Sequence, residues 1–189
     1  MKYFIIILLM ISCSCNRQGN DSQQKNQFKE FINRQKIIKL PVRIDLYKNY
    51  DEIVKPIESD TSILKEQTQM SYLGLLEDTS KFYYVITLFP GDDLCPLLYV
   101  YNKNGSLIDK SRLLIGNYSQ DCGDYVYGYT TINKELLIFT QDSLVAYKCD
   151  SEGNENKDSL TIYMKSQSMR ILKNGNVKHD RVIENKIKK

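Results

Sequence analysis

Two short stretches gather most of the side chains that could do chemistry. One runs Pro90-Gly91-Asp92-Asp93-Leu94-Cys95, the other Gln120-Asp121-Cys122-Gly123-Asp124. A disulfide between Cys95 and Cys122 would bring four carboxylates together: Asp92, Asp93, Asp121 and Asp124. Ca²⁺ accepts oxygen ligands of this kind, which makes the cluster a weak calcium candidate. Paired carboxylates also serve hydrolases, where they work about 5–9.5 Å apart. Against both readings, Asp is common in turns because its side chain bonds nearby backbone amides. Cys149 is the alternative partner for either cysteine. The expected bond is Cys95–Cys122, which adds about 3–4 kcal/mol in the chain-entropy account.

The third feature is Tyr125-Val126-Tyr127-Gly128-Tyr129. In a strand Tyr125, Tyr127 and Tyr129 share one face. An exposed comb of this kind suits a sugar or a protein partner, since tyrosine offers rigid area with a polar tip. The expectation is instead that the comb packs beneath a helix with its hydroxyls at the rim. His179 is the sole histidine and sits beside Asp180 in a short polar strand, a setting that reads as surface. No nucleophile motif, H-E-x-x-H, P-loop or G-x-G-x-x-G occurs. No catalytic residue and no cofactor is assigned, and the chain reads as a non-enzyme.

These residues must be positioned by strands. The 189 residues include fourteen Tyr and no Trp, and tyrosine suits a pleated, half-buried surface. One amphipathic helix is expected near the amino terminus, over 27–38, with Phe28, Phe31, Ile32 and Gln35 at helical spacing. Extended segments follow around 40–45, 69–77, 81–89, 94–102 and 106–115, and then at 125–132, 135–149, 159–173 and 177–184. Lys81–Phe89 is apolar on both faces and should lie centrally. Asn104-Gly105 is the strongest hairpin signal. The apolar residues Leu160, Ile162 and Met164 are even-numbered, whereas Met169 and Ile171 are odd, so a bulge is expected at 166–168. The fold class is mainly β: an antiparallel meander of about eight strands closing as a barrel or sandwich, with one N-terminal helix. The single domain should span 27–185, leaving 186–189 as a basic, solvated tail. A formal charge of +3 with interspersed signs calls for no nucleic-acid partner.

The amino terminus supplies an address. Lys2 precedes an apolar run from Tyr3 to Ile11, about half of the roughly 20 residues a membrane-spanning helix needs. The layout is that of a secretory signal. Leu9-Met10-Ile11-Ser12-Cys13 resembles a bacterial lipobox, in which the cysteine is acylated and becomes the first residue of the mature chain; Cys15 is the alternative. Residues 1–12 are then a lipoprotein signal peptide, and 13–26 a polar, flexible tether. The order of parts is similar to that of small Bacteroidota lipoproteins: lipobox, tether, a helix with Phe28 and Phe31, Leu40-Pro41, then Tyr-rich hairpins. That resemblance implies a lipid-anchored envelope protein and no particular activity. Surface-exported members carry an acidic cluster after the cysteine. Here there is only Asp21, which points to the outer membrane facing the periplasm. The expected role is binding another protein, as an inhibitor, immunity protein or assembly accessory. The alternatives are a glycan or small-ligand module using the tyrosines and, last, a hydrolase using the loop carboxylates. Membrane-extracted protein should have an intact mass corresponding to a diacylated chain beginning at Cys13. A mass beginning at Cys15 would move the anchor by two residues.

Overall fold

Strand β4 (Tyr83–Phe89) is buried on both faces, and this sets the layering. The computed structural model describes residues 23–46, 71–89, 95–116 and 121–188. A helix α1 covers residues 23–33. The strands are β1 (Ile37–Ile38), β2 (Val42–Leu46), β3 (Ser71–Leu76), β4, β5 (Cys95–Tyr101), β6 (Leu107–Arg112), β7 (Asp124–Ile132), β8 (Leu137–Cys149), β9 (Glu155–Ile171), β10 (Val177–His179) and β11 (Ile183–Lys188). They form two sheets. One has five strands in the order β1-β3-β4-β5-β6. The other has six, in the order β10-β9-β8-β7-β2, with β11 also paired to β9. No barrel closes; the sheets face one another as a sandwich. Apart from β1, which runs parallel to β3, every pairing is antiparallel.

Alternation explains how β4 serves two interfaces. Tyr84, Ile86 and Leu88 join Leu98, Val100, Ile132, Ile138 and Met169 in the core between the sheets. Val85 lies on the opposite face with Leu97, Tyr99 and Tyr101, where α1 packs through Phe28, Phe31 and Ile32. The Phe28 ring lies 5.1 Å from that of Tyr101 and 5.7 Å from that of Tyr83. It also covers the β5–β6 hairpin: a Cβ at Gly105, where φ is +90°, would approach the Phe28 ring to 2.6 Å. Glycine is therefore needed there twice, for the left-handed turn and for the helix. The order of layers is helix, five-stranded sheet, six-stranded sheet.

The chain crosses from β6 in the first sheet to β7 in the second through residues 113–116. Leu113 and Gly116 are buried, Leu114 and Ile115 half-buried, and three of the backbone groups in this stretch are met by side chains from the second sheet. Thr130 Oγ1 donates to the Leu113 carbonyl at 2.6 Å and lies 2.8 Å from Thr140 Oγ1. Asp142 Oδ2 accepts from the Ile115 and Gly116 amides at 2.9 and 2.7 Å. Thr130, Thr140 and Asp142 are all fully buried. On the inner face of β8, full burial stops at Asp142; beyond it Leu144 and Ala146 are only partly covered.

Several expectations are corrected. The helix begins in the segment expected as tether and ends earlier, because Ile37 and Ile38 extend alongside Leu75 and Leu76 of β3. No bulge interrupts β9 at 166–168; its register with β8 is unbroken from Thr161 to Arg170. The break lies in the outer partner instead. β11 pairs β9 up to Ser166, β10 resumes at Met169, and the Asp180 amide bonds the Ser168 carbonyl at 2.9 Å between them. The basic end is no free tail: Lys186, Ile187 and Lys188 belong to β11. The tyrosine comb is not beneath α1, which packs on the other sheet. Residues 1–12, expected as a signal peptide, lie outside the described residues.

Burial raises the Asp142 carboxyl above its ordinary value of 3.8, against the pull of the Gly116 and Ile115 amides. A raised carboxyl makes the folded state the tighter proton binder. The stability this gives is fully present below the ordinary value and is lost as pH rises through the folded one. Asp142→Asn keeps an acceptor for both amides and removes the charge. Its stability relative to wild type should therefore climb with pH from about 4 toward neutrality, read by urea unfolding across that range. Asp142→Ala leaves both amides without a partner and should cost about 3 kcal/mol. A pH-independent difference for the Asn variant would contradict the buried, raised carboxyl.

Candidate functional site

The outer face of the six-stranded sheet carries the side chains that alternate away from the core. On β7 these include Tyr125, Tyr127 and Tyr129. The register places Val145, Ser143 and Gln141 of β8 opposite them. Next across the sheet come Ile162, Met164 and Ser166 of β9, then Ile187, Asn185 and Ile183 of β11. The face is largely open: Tyr125 is 43% exposed, Tyr127 56%, Ile183 60% and Ile187 44%. Among the described residues no helix or strand packs over this face, and an exposed apolar patch commonly marks a binding surface.

At one side of this face a cleft of about 510 Å³ opens between β2 and the tyrosines, lined by Arg43, Asp45, Tyr127, Tyr129, Gln141 and Ser143 among others. The antiparallel pairing of β2 with β7 sets Asp45 opposite Tyr129 and Arg43 opposite Thr131. The Arg43 guanidinium lies 3.9 Å over the Tyr129 ring, and its Nε donates to Asp45 Oδ1 at 2.8 Å. Tyr129 donates its hydroxyl to Gln141 Oε1 at 3.5 Å, and Ser143 Oγ donates to the Tyr127 carbonyl at 3.4 Å. The cleft thus offers a tyrosine face beside amide, hydroxyl and charged groups. That set can stack against a ring and exchange hydrogen bonds with hydroxyls. It contains no nucleophile and base in contact.

At the far end of the same strands the chain is stapled. Cys122 pairs with Cys149 at an S–S distance of 2.07 Å, and Cys95 is free and buried. The expected Cys95–Cys122 bond is therefore corrected. Cys95 starts β5 in the helix-covered sheet, whereas Cys122 and Cys149 flank the paired ends of β7 and β8 in the other sheet. Next to the staple the Tyr125 hydroxyl donates to Glu155 Oε1 at 2.5 Å, and Glu155 in turn pairs with Lys157. The hydrogen bond to Glu155 holds the phenol above its ordinary value. The bonds from Lys157 and Tyr125 hold Glu155 below its own. Lys157 Nζ also lies 4.5 Å over the Tyr147 ring.

The bond expected to gather the four carboxylates is therefore not the one formed. Asp121 and Asp124 form a local turn, in which Asp124 Oδ2 accepts from the Asp121 amide at 3.4 Å and the Asp124 amide bonds the Asp121 carbonyl at 3.0 Å. Asp92 and Asp93 lie outside the described residues, as do Cys13 and Cys15. Among the described residues no cluster of three or more His, Cys, Asp or Glu side chains could hold a metal ion. His179 is exposed on β10, with Nε2 3.3 Å from Ser111 Oγ and Nδ1 3.5 Å from Gln167 Oε1. An amide oxygen stands where a Ser-His-Asp arrangement needs its carboxylate. The sequence reading missed Arg43, Asp45, Gln141 and Ser143. They share the comb's face only through the β2–β7 and β7–β8 registers, which no local pattern reveals.

No protein-family model matches the chain, and no curated protein or solved structure matches it either. Among the described residues no helix is long and apolar enough to cross a membrane. Replacing both Cys122 and Cys149 by Ser should lower stability by about 2–4 kcal/mol in chemical unfolding, because the loop they close regains its freedom in the unfolded chain. The sheet spectrum in far-ultraviolet circular dichroism should persist, since the core between the sheets does not include either residue.

Proposed function

We propose that this chain is a lipid-anchored cell-envelope protein, of non-enzymatic type, that binds another protein through the outer face of its six-stranded sheet. The observation that carries this reading is the joint exposure of Tyr125, Tyr127, Ile183 and Ile187 on one continuous face. Tyrosines at the centre of an open apolar patch are the side chains that most often anchor protein interfaces. The role fits an inhibitor, an immunity protein or an assembly accessory placed at the outer membrane and facing the periplasm. Neither catalysis nor a nucleic-acid partner is needed. The lipobox-like Leu9–Cys13 supports the membrane address, and the disulfide accords with a compartment that permits such bonds.

A second reading is carried by the cleft beside Tyr129. A tyrosine ring flanked by Arg43, Asp45, Gln141 and Ser143 has the chemistry to hold a glycan, by stacking and by hydrogen bonds to hydroxyls.

One variant separates the two. Wild-type protein used as bait in detergent-solubilised envelope should recover a stoichiometric partner. Tyr127→Ala should weaken that capture by tenfold or more, the size of effect expected for a central aromatic. Loss of glycan-array binding in the same variant, with capture unchanged, favours the glycan reading. Recovery of neither partner nor glycan by the wild type counts against both.

A further inference from the structure

Strand β11 has one partner, β9, and among the described residues no strand pairs its other edge. All six of its residues are exposed. Such an edge is a template for adding another strand, and proteins commonly blunt it with lysines. A row of lysines would repel a second copy. β11 reads Ile183-Glu184-Asn185-Lys186-Ile187-Lys188, with an acid and a base at neighbouring positions of one face and Ile183 and Ile187 on the other. Its register on β9 fixes those faces: Glu184 and Lys186 stand opposite Lys165 and Tyr163, and Ile183 and Ile187 opposite Ser166 and Ile162.

We propose that a second copy of this chain adds to β11, edge to edge and antiparallel, with the two-fold axis passing through Asn185. In that register Glu184 faces Lys186 of the second copy, twice by symmetry, and Ile183 faces Ile187, also twice. Neighbouring registers fail on simple grounds. A shift by one residue sets outer-face side chains against inner-face ones, which a pleat forbids. A two-residue shift places Lys186 opposite Lys186 in one direction, or Glu184 opposite Glu184 in the other. Directly opposed like charges destabilise a strand pair, whereas opposite charges support it. Glu184 already holds Lys165 through Oε1 at 3.2 Å, which leaves Oε2 for the second copy. The Lys186 ammonium is held 4.6 Å over the Tyr163 ring, on the face where Glu184 of the second copy arrives. The result is a continuous sheet through both subunits. Its outer face joins the two tyrosine surfaces into one, and this assembly does not depend on what either surface binds.

The test is a charge exchange on the full chain, purified in detergent and measured by sedimentation equilibrium. The wild type should show a concentration-dependent dimer. Glu184→Lys and Lys186→Glu should each weaken it at least tenfold, because each sets like charges against each other on both sides of the axis. Mixing the two variants one to one should restore a dimer, since the mixed pair is complementary at both positions; rescue also shows that each variant is folded. In a Cys15→Ser background Asn185→Cys should cross-link across the axis under mild oxidation, while that background alone should not. A wild type that stays monomeric at every concentration overturns the proposal. So does a dimer indifferent to both charge reversals, or one in which the introduced cysteine fails to cross-link.

Discussion

Strand β9 is seventeen residues long, and from Thr161 to Arg170 its pleat keeps one parity against β8. Everything on the six-stranded sheet is arranged by that. Met169 faces the core opposite Ile138, so Gln167, Lys165, Tyr163 and Thr161 share its side. Ile162 and Met164 are thereby committed to the other side, where they are only half-buried. The same parity passes through β8 to β7 and turns the three tyrosines outward together. An apolar outer face is the direct result of a strand that stays regular while its apolar residues change parity. A bulge would have buried them and removed the face.

The second dependence lies inside the sandwich. Two threonines and one aspartate, all on the inner face, are spent on the backbone of residues 113–116 rather than on apolar packing. A buried crossing without those partners would leave its amides and carbonyl unsatisfied, at about 1–3 kcal/mol each. Gly128 stands directly opposite Asp142, and a Cβ there would come within 3.1 Å of Asp142 Oδ1. The missing side chain of Gly128 thus leaves, on the inner face, the space the carboxyl occupies.

Much of the helix-side packing was legible in the sequence because it is local. The spacing of Phe28, Phe31 and Ile32, the doubly apolar β4 and the Asn104-Gly105 turn each declare themselves within a few residues. Residues far apart in sequence did not. Asp142 reads as an ordinary polar residue in a strand until the crossing at Ile115 and Gly116 is laid against it. Cys149 reads only as the alternative to Cys95 as partner of Cys122, since composition does not say which sheet each cysteine joins. The change of parity in β9 was visible, but the inference drawn from it assumed that apolar residues must share one core. The basic ending looked like a solvated tail because Lys and Glu obscure the alternation of Ile183 and Ile187.

The layer order also gives the molecule a front and a back. Helix α1 begins at residue 23 on the outer side of the five-stranded sheet, and the tyrosines lie on the outer side of the other. Packed sheets stand about 10 Å apart, so the two surfaces are separated by the full thickness of the domain. A chain moored at Cys13 would have about ten residues before the helix, a leash of at most about 35 Å. On that reading the leash would join the domain at its back, where the helix begins. Mooring point and tyrosine surface would then lie on opposite sides of the domain, so a partner could meet the tyrosines without displacing the helix.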